Sequence, residues 1–380
     1  VDLDQLAALR TPEGSAALAA AERVAGGDPL AAAAALRSAG LPGGLAAAGG
    51  MFLTRAGLEQ ATRRVVADRR AARLRAAGVT TLADLGCGLG ADALAAARAG
   101  IRVYAVEADP VTATMAAANA EAAGLADLVT VSCGDATAFD VTGVDAVFCD
   151  PARRRAGTGR RVFDPNAYSP PWDFVTGLAA RVPRTVVKVA PGLDHALIPG
   201  GAEAEWVSVD GDLVEAALWC GELAEVPRRA TVLRERDDAV SLLTGTGGQE
   251  APVGPVRRFL YDPDPAVVRA HLVAELAADL DATLADPSIA YLYGDQARPT
   301  PFARCLEITD VLPFSLKRLR SLLRERRVGR VEIRKRGSAL EPEKLRRDLR
   351  LSGDEAAGLA LTRVAGAPTV LVCRPVPAGG

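Results

Sequence analysis

From residue 81 onward, short apolar runs alternate with longer alanine-rich or amphipathic ones. "TLADLG", "IRVYAVE", "DLVTVSC", "VDAVFCD" and "RTVVKVAP" are compact apolar runs bounded by Gly, Pro or Asp, the pattern of buried strands. Between them "ADALAAARAG", "PVTATMAAANAEAAG" and "WDFVTGLAARV" read as helices, with Pro110 suited to a first helical turn. Strands alternating with helices predict a parallel sheet covered on both faces. The series then changes character. "AEWVSVDGDLVEAALWC" holds two alternating runs around Asp210-Gly211, a pair that favours a tight hairpin turn, and "RRATVLRERDDAVSLLTG" suggests a second hairpin.

The flanks differ. Residues 1–78 are alanine-rich with breaks at Gly26-Gly27 and Pro42-Gly43-Gly44, and they read as helices, the last a long one over 55–77 with a basic outer face. Residues 244–255 are rich in Gly and Pro and read as a linker, followed by a helix at "DPAVVRAHLVAELAADLDATLAD". The stretch 300–376 reads as strand, helix, strand, helix and a final strand pair. The expected organisation is a helical region over 1–78, a Rossmann-like α/β domain over 79–243 with seven strands and an antiparallel closing hairpin, a linker and helix over 244–299, and a small α+β domain over 300–380.

Composition narrows the partners. With 380 residues, 49% hydrophobic, the chain can bury several cores, and a net charge of −2 gives no global pull toward nucleic acid or membrane. Only four of the 45 basic residues are lysines (Lys188, Lys317, Lys335 and Lys344), a skew that points to a GC-rich bacterial genome and weakens any arginine run as a signal. Six cysteines without a C-x-x-C pair and two histidines argue against a metal site and against a disulfide framework. The early acids and the lack of a basic start lead to the expectation of no signal peptide, and no long uncharged apolar run suggests a membrane span. The expected location is the cytoplasm.

Candidate chemistry begins at "DLGCGLGADALAAARAG". A glycine loop between strand and helix lets backbone approach a ligand closely. Spacing alone leaves three readings. Gly86-x-Gly88-x-x-Ala91 fits a dinucleotide loop, Gly86-x-Gly88-x-Gly90 fits a loop carrying S-adenosylmethionine, and a tight turn without ligand fits either. The neighbours shift the balance. Asp84 precedes the loop where a pyrophosphate would repel it. Glu107 ends the second strand, able to accept two ribose hydroxyls, with Asp109 a weaker substitute. Asp135 follows the third, able to accept from an adenine amino group. Three acids at three strand ends suit a sulfonium nucleoside, which has no phosphate.

The run "DLGCGLGADALAAA … VYAVEADP … AAANA … CGDA … DAVFCDPAR" resembles the class I S-adenosylmethionine-dependent methyltransferases over residues 78–222. The resemblance implies that Asp84, Gly86, Gly88 and Gly90 belong to the first cofactor motif, that Glu107 meets the ribose and that Asp135 meets the adenine. The fourth strand ends in Asp150-Pro151-Ala152-Arg153. This is similar to a motif of RNA methyltransferases, notably those acting on uracil C5, and to the N/D-P-P-Y/F motif of enzymes that methylate exocyclic amines. Uracil-C5 relatives carry a cysteine at the end of the fifth strand. Here that strand end reads Lys188-Val189-Ala190-Pro191, and Cys149 sits inside the preceding strand, a core position. The departure favours a nitrogen acceptor, with Asp150, Pro151 and Arg153 expected at the reacting centre.

Arg153, Arg154, Arg155, Arg160 and Arg161 form a basic loop suited to phosphates or simply to solvent, and Tyr168, Pro171, Trp172 and Phe174 to stacking a base or to packing. Lys188 suits either a substrate contact or a strand edge. His195 suits proton transfer but is more often structural. Lys317, Arg318, Arg334, Lys335 and Arg336 lie in a basic stretch of the last domain, which resembles the THUMP-like domain found behind bacterial methyltransferase domains; classical THUMP domains bind tRNA. The expected activity is S-adenosylmethionine-dependent methylation of RNA, tRNA favoured, at a base nitrogen or exocyclic amine. A small-molecule methyltransferase and a non-catalytic RNA-binding protein are the alternatives.

Overall fold

The computed structural model describes residues 46–48, 51–53, 61–151 and 168–376. They fall into two compact units, one of Val1–Glu203 with Ala216–Glu225, the other of Ala204–Glu215 with Val226–Gly380.

In the first unit β1 (Ala46–Ala48) and β2 (Met51–Leu53) form a short antiparallel pair with Ala46 opposite Leu53. This antiparallel pair stands inside the region read as helical. The long helix expected over 55–77 is described as α1, Arg64–Ala76, with the expected stretch 55–60 outside the described residues. Its face is not uniformly basic outward. Arg70 is buried with its guanidinium 4.6 Å from the centre of the Phe148 ring, and Arg73 lies 3.9 Å from that of Trp219. Arg73 also donates two 2.7 Å bonds to the buried Glu203. The arginine stems bury apolar surface while the heads are paired, which a helical wheel of charges does not reveal.

The alternating series then appears as read: β3 (Thr81–Leu85), α2 (Ala91–Arg98), β4 (Arg102–Glu107), α3 (Pro110–Ala122), β5 (Val129–Cys133), β6 (Ala146–Cys149), α4 (Trp172–Arg181), β7 (Arg184–Val189), β8 (Glu203–Val209) and β9 (Asp212–Gly221). Within the first unit the strand order is β9-β7-β6-β3-β4-β5. β3 to β7 are parallel, and β9 runs antiparallel to β7 from Arg184 opposite Gly221 to Val189 opposite Ala216. Leu85 pairs with both Val106 and Cys149, so β3, β4 and β6 end level and their following loops meet at one edge. Alanines at Ala93, Ala95–Ala97, Ala116 and Ala120 let helices sit close to Leu82, Ile101, Val103 and Phe148 in the core.

In the second unit the order β11-β10-β8-β9 contains both expected hairpins, β8–β9 turning at Asp210-Gly211 and β10 (Arg228–Arg234) pairing with β11 (Ala239–Gly245). Asp210 and Gly211 have φ of 50° and 88°, as a primed turn requires. The helix expected near 264–286 is broken into α5 (Pro265–Arg269) and α6 (Val273–Leu280), with His271 between them at φ 59°. The stretch expected to be only linker and helix also supplies β12 (Phe259–Pro263), β13 (Thr283–Leu284) and β14 (Leu292–Gly294). Phe259, Leu260 and Tyr261 are all buried, an uninterrupted apolar run too short to stand out by period.

These join a seven-stranded sheet ordered β13-β14-β12-β15-β18-β17-β16, with β15 Ala303–Pro313, β16 Val328–Lys335, β17 Glu355–Val364 and β18 Ala367–Pro375. Period-2 alternation divides its faces. Leu359, Leu361, Val370 and Val372 pack under α7 (Leu316–Glu325) and α8 (Pro342–Leu349), whereas Ala360, Leu371 and Cys373 face Leu260, Tyr291 and Tyr293.

Candidate active site

The level strand ends enclose a cavity of about 310 Å³ in the first unit. Its walls come from the loops after β3 (Gly86, Cys87, Gly88 and Leu89), β4 (Glu107 and Ala108), β5 (Asp135 and Ala136) and β6 (Asp150), closed by Ala61, Thr62, Ser169 and Pro170. This is the crevice at the carboxyl ends of the strands where open α/β sheets hold ligands.

The glycine loop is shaped by backbone needs. Gly86 has φ 88°, and a Cβ there would stand 2.9 Å from the carbonyl oxygen of Asp150. Its N–H and that of Cys87 both donate to Val106 O, at 2.9 and 3.0 Å. Gly88 has φ 55°, and its N–H donates to Glu107 Oε2 at 3.0 Å. Glu107 Oε1 accepts from the Asp109 N–H at 3.0 Å, so one carboxylate pins two loops while lining the cavity. Asp109 itself caps α3, accepting from the Thr112 N–H at 2.8 Å. Asp135 caps the single turn Ala136–Ala138 by accepting from the Thr137 N–H at 2.8 Å, and bonds to Thr137, the backbone one foremost, hold its carboxyl below the usual range.

Two residues expected to touch the cofactor stand back from the cavity. Gly90 precedes α2 as its N-cap with φ 87°, and since a Cβ there would stand an ordinary 3.7 Å from Ala116 Cβ, its demand is the left-handed backbone. Asp84 is 0% exposed and absent from the cavity wall, and no described residue bonds either carboxylate oxygen. A direct bond from Asp84 to a molecule in the cavity is therefore unavailable in this arrangement. Burial, then the like charges of Asp92 and Asp150, push its carboxyl well above the ordinary range, outweighing the opposite pull of Arg70 and Lys188. Burying a carboxylate without partners penalises its charged form.

Lys188 and Thr62 tie the site together. Lys188 Nζ donates to Asp150 Oδ2 at 2.7 Å and to Thr62 Oγ1 at 3.0 Å, and Thr62 Oγ1 donates to Asp92 Oδ2 at 2.6 Å. Arg70 Nε approaches the other Asp92 oxygen at 3.3 Å, close enough for an ion pair but outside hydrogen-bond geometry. The sequence drew no attention to Thr62, Arg70 or Asp92. Their only signal was polarity within apolar surroundings, at separations of 30 and 126 residues from their partners.

Other candidates are placed as follows. Arg153, Arg154, Arg155, Arg160 and Arg161 lie outside the described residues. Pro151 is buried directly after Asp150. Tyr168 and Trp172 are buried at 7% exposure each, so they serve packing and do not present faces for stacking, while Phe174 lies 5.1 Å from the Arg181 guanidinium. Cys149 is fully buried and its thiol is pushed up by burial, so it is a core residue. His195 sits in a single turn, Asp194 capping it, outside the cavity.

The cavity's chemistry answers the question the glycine spacing left open. Its described wall holds four carboxylates, from Asp92, Glu107, Asp135 and Asp150, and no Lys, Arg or His. A pyrophosphate would meet like charge there; a cationic, phosphate-free nucleoside fits. S-adenosylmethionine is such a molecule, and the residues present suit it. No group of three or more potential metal ligands occurs among the described residues, and no described helix is long and apolar enough to cross a membrane.

In the second unit, of the five expected RNA contacts three are engaged internally. Arg334 and Arg336 grip opposite oxygens of Asp262 at 2.9 and 3.0 Å, and Arg336 adds a 2.8 Å bond to Pro263 O. Lys335 lies 3.5 Å from Glu341. Lys317 and Arg318 are exposed on α7.

Comparisons with known proteins agree with this geometry. A methyltransferase domain model matches residues 82–154, a THUMP domain-like model residues 303–375, and a domain of unknown function residues 2–49. An uncharacterised S-adenosylmethionine-dependent methyltransferase of Mycobacterium tuberculosis, in strains H37Rv and CDC 1551, is 36% identical over 333 residues, covering 84% of this chain and 87% of the relative. A solved structure from Porphyromonas gingivalis W83, a protein proposed to be a methyltransferase, superposes with a TM-score of 0.69 at 20% identity, covering 86% of this chain and 84% of that one.

Proposed function

The chain belongs to the S-adenosylmethionine-dependent methyltransferase family, and from that premise we propose that it methylates RNA, tRNA foremost, at a base nitrogen or an exocyclic amine. Its cofactor is S-adenosylmethionine, which supplies a methyl group activated on a sulfonium.

The loop Gly86–Gly88 would meet the cofactor through backbone: both glycines have positive φ, and at Gly86 the carbonyl of Asp150 leaves no room for a side chain. Glu107 accepts from the ribose hydroxyls with the lone pairs left after its bonds to Gly88 and Asp109. Asp135 accepts from the adenine amino group. Asp150 faces the acceptor. Its Oδ2 is held by Lys188, and Oδ1 accepts the acceptor N–H and takes its proton as the new bond forms. The adjoining Pro151 fixes the strand end, and Arg153 meets the RNA backbone. Most of the rate comes from aligning nitrogen and methyl within this walled site.

The observation favouring RNA is the outer surface of α7 and α8. Lys317, Arg318, Arg324, Lys344, Arg347 and Arg350 are all exposed, and none makes an ion pair with a described residue. Five cations on two touching helices, with Arg350 at the C-cap of α8, none paired with a described acid, form a footprint for phosphates. The likeness of residues 303–375 to a THUMP domain supports it. Six free cysteines suit a reducing cytoplasm as the place of action. Transfer of labelled methyl from S-adenosylmethionine to RNA from cells lacking the protein tests the reading. Label in RNA is expected, and its absence from all RNA fractions contradicts it.

A further inference from the structure

Lys188 is a buried cation that the proposed chemistry does not consume. It stands on β7 at 6% exposure and is absent from the cavity wall, so it does not reach an acceptor itself. Its ammonium has three donors. One goes to Asp150 Oδ2 at 2.7 Å and one to Thr62 Oγ1 at 3.0 Å. The second bond has a fixed polarity. The Thr62 hydroxyl proton is committed to Asp92 Oδ2 at 2.6 Å, so Thr62 must accept from Lys188. Asp92 lies in the first turn of α2, directly after the glycine loop, and it lines the cavity. The chain Asp92–Thr62–Lys188–Asp150 thus joins one wall of the cavity to the strand end opposite.

Asp150 needs such a restraint. Its backbone is held on both sides, its N–H donating to Leu85 O at 3.2 Å and its carbonyl lying where a Gly86 Cβ would be. Its side chain is 26% exposed, and Lys188 is the only described residue bonded to it. A half-exposed aspartate with a single anchor has one defined rotamer while the anchor is present and several when it is gone.

We propose that Lys188, seated by Thr62, is the positioning residue that fixes the Asp150 carboxylate, directing Oδ1 to the acceptor while Oδ2 is held. This inference rests on the reading of Asp150 as the acceptor-facing group.

The test compares Lys188→Met, Lys188→Arg, Asp150→Asn and the Lys188→Met/Asp150→Asn double variant in the full chain. Tritiated S-adenosylmethionine and RNA from cells lacking the protein are the substrates. Lys188→Met is expected to lower kcat about tenfold or more, with KM for S-adenosylmethionine and Kd for S-adenosylhomocysteine within about twofold of wild type. Lys188→Arg recovers part of the loss, and the double variant is no slower than Asp150→Asn alone. A wild-type kcat in Lys188→Met, alongside an impaired Asp150→Asn, overturns the positioning role. So does a double variant whose losses multiply. An unimpaired Asp150→Asn overturns the acceptor reading and this inference with it. If wild type labels no RNA, the acceptor class is wrong, and a crystal structure of Lys188→Met with S-adenosylhomocysteine decides the positioning role by itself. An Asp150 carboxylate turned from its wild-type position supports it; an unmoved one overturns it.

Discussion

The two units handle charge in opposite ways. The cavity of the first is walled by four carboxylates and no cation among its described residues, and its nearest cations, Arg70 and Lys188, are buried behind the wall. The second exposes cations on α7 and α8 without an ion pair to a described residue, while other arginines, such as Arg334 and Arg336 with Asp262, are bound into pairs. Arginine count predicts neither behaviour. What separates a structural arginine from an available one is whether an acid lies across the fold from it.

The sharpest way to break this comparison is at the loop. Gly86→Val places a branched side chain at φ 88° with its Cβ 2.9 Å from Asp150 O. S-adenosylhomocysteine affinity should fall by about a hundredfold or more, on the order of 3 kcal/mol, by calorimetry. Glu107→Ala removes one carboxylate that serves two loops and the cofactor. A loss of about 1.5–3 kcal/mol, read the same way, is expected; unchanged affinity would place the ribose elsewhere.

A smaller effect separates free from paired cations. The Lys317→Ala/Arg318→Ala/Arg324→Ala variant should weaken RNA binding and reduce the salt slope by about 2, from roughly 0.7–0.9 per cation. Its affinity for S-adenosylhomocysteine should stay at the wild-type value. Arg334→Ala should instead lower the melting temperature slightly by removing one of the two guanidinium groups on Asp262, Arg336 still holding the other oxygen, with the salt slope little changed.

The smallest effects are in stability against pH. Asp84 has a folded-state pKa raised above its unfolded value, so its neutral form is favoured by folding. Its contribution is greatest below the unfolded pKa and is lost as pH rises toward the folded one. Asp84→Asn should therefore gain melting temperature over wild type as pH goes from acid to neutral; a constant difference would contradict it. Asp145 has the opposite sign. Bonds from Thr80 and Thr81, the Thr80 hydroxyl first, lower its carboxyl to about 2. The stability it provides is present above the unfolded pKa and is lost as pH falls through about 2, a loss that Asp145→Asn should not show.

Much of the first unit was legible because its signals are local. Apolar runs, Pro110 at a helix start, Asp210-Gly211 at a turn and glycines between β3 and α2 each act within a few residues. Glu107 and Asp135 were legible because strand ends in such a sheet share an edge. Lys188 could be singled out but not assigned, since its partners lie at Asp150 and Thr62. Arg334 and Arg336 misled because Asp262, 72 and 74 residues away, is invisible in the basic run. β12 was missed because three consecutive buried residues carry no period. Asp84 was expected among the cofactor contacts but stands back from the cavity, since sequence does not say which side of the loop a side chain occupies.

The most direct measurement is nucleoside mass spectrometry of RNA from cells lacking the protein, before and after incubation with the purified chain and deuteromethyl-labelled S-adenosylmethionine. The expected result is a single labelled nucleoside, with the label on nitrogen, formed by wild type and not by Asp150→Asn. A chain that binds S-adenosylmethionine yet labels no nucleoside, or labels one equally well without the Asp150 carboxylate, would contradict it.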